Sequence, residues 1–155
     1  MRSAAALIRL LDELARMRGR TLSAFRAIPA DPPLSEMESV VLTAVVGAQR
    51  PPTVSQIGRS LGHPRQVIQR TANMLMSHGL IEARHNPDHA RSKLLVATDA
   101  GREIQAQRDA GGLRIAAEMV GDLDAALLER TSEGLGIIRS ELERKLRFTR
   151  STRRT

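Results

Sequence analysis

The sequence predicts a mainly α-helical chain with one small β-hairpin. Three observations carry that expectation. Apolar residues recur at helical spacing over most of the chain, and two Ser/Thr-to-Glu/Gln capping signatures start short helices before its midpoint. Beyond them, two strand-length apolar runs flank the turn-rich stretch "HNPDHARS".

From Ser3 to Ala27 the residues Leu7, Leu11, Leu14, Leu22 and Phe25 recur at helical spacing, with Ile8 and Leu10 widening the stripe. Pro29 and "DPP" end this first helix. In "LSEMESVVLTAVVGA", Ser35 stands three residues before Glu38, so each side chain can satisfy a free backbone donor at the other residue. The apolar run to Val46 makes the second helix more buried than the first. "TVSQIGRSLG" repeats the capping arrangement with Thr53 and Gln56 and stops at Gly62. "HPRQVIQRTANMLMSHGL" puts Pro64 near the first position of a fourth helix, where its missing N–H is harmless, and ends at Gly79. Leu80 to Arg84 and Lys93 to Thr98 are then the two strands. Thr98 caps a long helix through Gly101, Ile104, Ile115 and Met119, in which Gly111 and Gly112 either bend the helix or admit a close neighbour. A last helix starts near Asp122 or Asp124 and carries Leu128, Leu135, Ile138, Leu142 and Leu146. The acid-free end, "RKLRFTRSTRRT", is expected to fray.

Composition narrows the function classes. The 155 residues suit a single domain, and 41% hydrophobic content supplies a core without staples. Lys and Arg number 24 against 17 Asp and Glu, a formal net charge of +7 that points to a polyanionic partner, nucleic acid or acidic membrane surface. Asp12, Glu13 and Arg16 interrupt the first apolar run before bilayer length and no cleavage site follows, so neither a span nor an export signal is expected. The absence of cysteine excludes disulfides and cysteine-bound zinc and suits a reducing cytoplasm. Two phenylalanines, with no tyrosine or tryptophan, argue against recognition of single strands by stacking, which leaves duplex DNA. There is no nucleophile, base and orienter set, no glycine-rich phosphate loop and no dense carboxylate pair, so neither an enzyme nor a cofactor is expected.

Two short helices joined by a tight turn and followed by a two-stranded hairpin make a winged helix-turn-helix. Between Leu34 and Gly101 the chain resembles the MarR (multiple antibiotic resistance regulator) family of bacterial transcriptional regulators. "LSEMESVVL" matches the helix before the motif, "TVSQIGRSLGHPRQVIQRTANMLMSHGLI" the helix-turn-helix, and "NPDHARSKLLVATDAG" the wing and the start of the next helix. The resemblance implies a DNA-binding lobe at residues 34–98 and dimerisation helices at 1–30 and 99–148, with 149–155 left as a basic tail. It also implies a homodimer on a pseudo-palindromic operator, a repressor's or an activator's role with the repressor expected, and a small-molecule effector held between dimer helices and lobe. Leu7, Leu11, Leu14, Leu128, Leu135, Ile138 and Leu142 are then the dimerisation residues. The chain departs from the family pattern in two places. At the wing, the acid usual two positions before Arg91 is replaced by His89, with Asp88 adjacent, and Ala97 stands before Thr98 where leucine is usual. At the fourth helix, His63 and Pro64 replace an apolar residue and serine.

The residues make their own case for the site. On the fourth helix Ile68, Ala72 and Leu75 share one face and can pack on Ile57 and Leu61. That leaves Arg65, Gln66, Gln69, Arg70 and Asn73 on the other, side chains whose forked donors and acceptors match base edges in a major groove. Thr53, Ser55 and Gln56 either cap the third helix or donate to a phosphate there. Arg84, Arg91 and Lys93 give the hairpin charge, while Asn86 and Pro87 bend it, and Arg91 is the candidate for a minor groove. The four histidines, His63, His78, His85 and His89, lie in the same region, where protonation would add positive charge. His85, Asp88 and His89 match no established ligand spacing, so no metal is expected. Met17, Met37 and Met119 either line an effector cavity or fill the core. The other class that fits the fold is a winged-helix protein-interaction module without DNA affinity.

Overall fold

The computed structural model describes residues 2–26, 28, 31–89 and 91–152. They form α1 (Arg2–Arg26), α2 (Glu36–Val46), α3 (Val54–Leu61), α4 (Arg65–Ser77), β1 (Ile81–Arg84), β2 (Leu94–Ala97), α5 (Asp99–Val120) and α6 (Ala125–Thr152). Ala27 and Pro29, and the side chains of Leu22, Phe25 and Leu146, lie outside the described residues. The order is the one the sequence predicts, with α6 continuing as helix into the basic tail as far as Thr152. The chain forms two compact units, residues 1–116 and 117–155.

Local chemistry sets the helix ends. Ser35 Oγ accepts from the Glu38 amide at 3.3 Å while Glu38 Oε2 accepts from the Ser35 amide at 2.9 Å. Thr53 and Gln56 make the same reciprocal pair on α3, at 3.3 and 2.7 Å. Gly62 ends α3 at φ +70°, a conformation that side chains disfavour, and the next amide, of His63, donates back to Gly58 O at 2.9 Å. A Cβ at Gly58 would lie 2.9 Å from that His63 carbonyl, so a small residue is what lets the turn close. Pro64 sits one position earlier than the sequence suggested, at the N-cap of α4, where it makes no side-chain cap. Its carbonyl accepts from Val67 and Ile68 instead.

The core of the first unit gathers around α4. Ile68, Ala72 and Leu75 are fully buried and join Val41, Leu42 and Val45 of α2, Ile57 of α3, Leu95 and Ala97 of β2, and Ile104 of α5 in one cluster. Leu61 and Met37 pack at its edge, so Met37 is a core filler. Burying each large aliphatic side chain is worth about 1.5–3 kcal/mol. Among the polar groups, Glu38 is buried with Oε1 lacking a hydrogen bond, and His78 Nδ1 at the end of α4 stands 3.6 Å from it.

The hairpin is antiparallel, with Ile81 opposite Ala97 and Arg84 opposite Leu94. Its second strand is also held on the far side: Leu95 N donates to Pro52 O at 2.8 Å, and Thr53 bridges Leu94. The sequence reading contained no such third edge. Asn86, only 7% exposed, organises the tip. Its Nδ2 donates to Ser92 Oγ at 3.0 Å, and its Oδ1 accepts from the Asp88 amide at 3.0 Å. Among the described residues Asp88 forms no ion pair with Arg91, so an amide, rather than an acid, holds this wing.

Where β2 hands over to α5, Thr98 Oγ1 accepts from the Gly101 amide at 3.1 Å and donates to Gly79 O at 2.6 Å. Gly101 lies against the backbone of Leu80, and a Cβ there would stand 2.0 Å from Leu80 O. Gly111 admits a close neighbour too, with Ile28 Cγ2 only 2.8 Å from the position of an added Cβ.

In the second unit Asp124 caps α6, its Oδ1 accepting from the Ala126 amide at 2.9 Å. Leu127, Leu128, Ile137 and Ile138 are exposed there, while Leu135 and Leu142 are half-buried. On α1, Ile8, Leu11 and Met17 are exposed, and Leu7 and Leu14 half-buried; Leu113 and Met119 of α5 are exposed as well. These helices carry apolar side chains that neither unit covers. Met17 and Met119 therefore do not fill a core within the chain.

Three substitutions check this reading of the fold. Gly101→Ala should lower the unfolding free energy by about 1–3 kcal/mol in chemical denaturation, because backbone has to move. Gly19→Ala on α1, where nothing lies within 4 Å of the added Cβ, should raise it by about 0.5–1 kcal/mol. Asn86→Ala should cost about 1–3 kcal/mol and speed hydrogen exchange at Asp88 and His89 while leaving the α2 amides protected.

Candidate nucleic-acid interface

Side chains that can meet a polyanion come from three elements. The buried trio on α4 turns the opposite side of that helix outward, and Arg65, Gln66, Gln69, Arg70 and Asn73 are all exposed. At about 1.5 Å per residue, 13 residues give a rod of about 20 Å, a length and diameter that a major groove accepts. Gln69 Nε2 donates to Asn73 Oδ1 at 3.0 Å, an i,i+4 pair that orients both amides. Among the described residues neither Arg65 nor Arg70 pairs with an acid, and this face of α4 contains none.

The wing stands beside that face. Arg91 and Lys93 are exposed and likewise without an acidic partner among the described residues. Arg84 differs, because its guanidinium is paired with Glu82. The two are separated by one residue on a strand and so share a face, a signal the sequence already contained. The charge expected of Arg84 is offset within β1.

A cleft of about 260 Å³ joins these elements. Thr53 and Ser55 enter it from α3, Arg65 and Gln69 from α4, Arg91 and Lys93 from the wing. Of the side chains singled out in the sequence, these six converge, whereas Gln56, Gln66, Arg70, Asn73 and Arg84 do not line it. Thr53 is buried and its hydroxyl already accepts the Gln56 amide, while Gln56 Oε1 is engaged by Thr53 N. Both therefore serve as caps, leaving Ser55, half-buried at the first turn, as the hydroxyl of α3 open to an anion. Ser92 also lines the cleft and was not singled out from sequence; its position between two cations of the wing was the available signal.

The arrangement offers guanidinium and ammonium groups, amides and hydroxyls on a helix and a braced hairpin, groups that can hold an anion. Among the described residues no three His, Cys, Asp or Glu side chains are placed to hold a metal ion.

Known proteins share part of this chain's sequence and its fold. The model that defines the MarR family matches residues 33–92. An uncharacterised protein of Mycobacterium tuberculosis, and one of Mycobacterium bovis, are 40% identical over 90 residues. That stretch is 58% of this chain and 63% of each relative, so the chain spans less than two thirds of the curated proteins it matches. Among solved structures, the regulator BldR of Sulfolobus solfataricus superposes with a TM-score of 0.75 at 18% identity, covering 91% of this chain and 99% of that one. CouR of Rhodococcus jostii, solved with p-coumaroyl-CoA bound, gives 0.71 at 19% identity, covering 81% and 88%. At such identities the superpositions speak to the fold, while the family match speaks to the lobe that carries the cleft. Residues 33–92 thus match the MarR family, and the chain has the winged helix-turn-helix arrangement seen in these structures.

Proposed function

We propose that this chain is a transcriptional regulator that binds duplex DNA as a homodimer, setting one α4 into the major groove of each half of a pseudo-palindromic site. The observation that carries the reading is the outward face of α4, on which Arg65 and Gln69 stand across one cleft from Arg91 and Lys93 of the wing and Arg70 lies exposed beside them, neither arginine paired with an acid among the described residues. Arg70 and the Gln69–Asn73 pair read base edges; Arg91 enters the neighbouring minor groove; Ser55, Arg65 and Lys93 hold phosphate. A protein-interaction module is not favoured, since an α4 face with two arginines and no acid fits a polyanion better than an ordinary protein surface.

The dimer reading rests on the uncovered leucines and isoleucines of α1, α5 and α6. Leu7, Leu11 and Leu14 of one chain, with Leu128, Leu135, Ile138 and Leu142, supply the apolar surface. CouR, solved with p-coumaroyl-CoA bound, supports a small-molecule effector for this chain; repression is the regulatory outcome proposed for it. No helix among the described residues is long and apolar enough to cross a membrane, and a regulator of this kind works in the cytoplasm.

The operator can be recovered by sequencing genomic DNA bound to the protein. On that duplex, Arg70→Ala and Arg91→Ala should each weaken binding by about 1–3 kcal/mol while sedimentation shows the dimer intact. Parent-like binding by both variants would put the DNA surface elsewhere. Leu128→Glu with Ile138→Glu should instead shift the protein to monomer and abolish operator binding at nanomolar concentration.

A further inference from the structure

We infer that Gln69 and Asn73 act as one unit that selects two consecutive adenines on one strand of each operator half-site. The inference rests on the DNA-binding reading above and names what that surface prefers. Both side chains are exposed on the outward side of α4, and each follows a fully buried residue, Ile68 or Ala72, so the backbone that carries them is held from behind. Gln69 Nε2 donates to Asn73 Oδ1 at 3.0 Å. Among the described residues neither side-chain amide makes another hydrogen bond.

That one bond settles the polarity of both amides. With the Gln69 nitrogen turned to the Asn73 oxygen, the four polar atoms follow in the order Oε1, Nε2, Oδ1, Nδ2. Outward they offer acceptor, donor, acceptor, donor, because the inner nitrogen keeps a second N–H and the inner oxygen a second lone pair. The i,i+4 spacing is the one at which neighbours on a helix meet, so the array is held along one side of α4. The bond also fixes both side chains before DNA arrives, which lessens the freedom lost on binding.

The complement of this array is donor, acceptor, donor, acceptor. In the major groove only adenine shows both on one base, its N6 amino group beside N7. Guanine shows two acceptors, cytosine one donor, and thymine one acceptor and a methyl group. Two adenines in succession therefore meet all four atoms, each amide bidentate to its own base. Guanine at either place would set its O6 against an amide oxygen. A phosphate, which only accepts, would leave both amide oxygens idle, and Arg65 on the same helix suits that role better.

The test titrates the full-length parent, Q69A, N73A, the double variant and R70A with the operator recovered from genomic DNA. Each adenine of a half-site is replaced in turn by guanine, or by 7-deaza-adenine, which lacks only the N7 acceptor. On the parent, guanine at either of two neighbouring adenines should weaken binding about 5- to 150-fold, and 7-deaza-adenine should weaken it less but measurably. Q69A and N73A should each lose the penalty at both positions, since each amide is oriented by the other, and the double variant should match the single ones. R70A should bind more weakly overall yet keep the adenine penalties. Loss of one position per variant would show two independent readers and overturn the coupled unit. Equal weakening of every duplex by Q69A and N73A would assign the amides to phosphate, overturning the inference and leaving the lobe reading standing, as would a half-site that accepts guanine at every adenine. A parent that bound no duplex would overturn both readings together.

Discussion

The burial of Ile68, Ala72 and Leu75 decides which way α4 faces, and the rest of the interface follows from that orientation. Rotating the helix by half a turn would expose two large aliphatic side chains, a loss of about 1.5–3 kcal/mol each. It would also press Arg65 and Arg70 toward the core, where an unpaired guanidinium costs several kcal/mol more. Both penalties act in the same direction, so the polar face is held outward by what lies behind it. Gly58 contributes from α3, since the tight turn at Gly62 and His63 closes only over a residue without a side chain. The outward polar surface is thus positioned by apolar packing and one small residue behind it.

Much of this was readable from the amino-acid order, because helix caps and amphipathic faces are local. Ser35 with Glu38 and Thr53 with Gln56 form the reciprocal caps their spacing announces, and Gly62 and Gly79 adopt the positive φ that ends a helix. The outward set on α4 emerged from the i, i+4, i+7 spacing of its apolar residues. What escaped was non-local. The bridge from Pro52 and Thr53 to β2 joins residues some forty apart, and nothing in "PPT" alone requires a partner strand. Asn86 looked like a turn former, and only the folded tip shows its amide joining Ser92 to Asp88. The cancellation of Arg84 by Glu82 was legible in the alternation of a strand, yet charge had been counted there residue by residue.

Charge is distributed unevenly along the chain. On the lobe the cations are few and interleaved with amides. After Glu143 the sequence has six cations and no acid. A net charge taken over the whole chain conceals this division, since most of it does not belong to the winged lobe that the fold identifies.

The contact between Gly101 and Leu80 has a mechanical corollary. With no side chain between them, the first turn of α5 and the start of the wing bear directly on each other, and Thr98 clamps the same joint to the last turn of α4 through Gly79. A helix of 22 residues is about 33 Å long, so a pivot of a few degrees at that fulcrum sweeps its distant tip through several ångströms. Leverage runs both ways: a load on the remote end of α5 is borne at this joint, where Gly101 leaves no side chain to cushion Leu80.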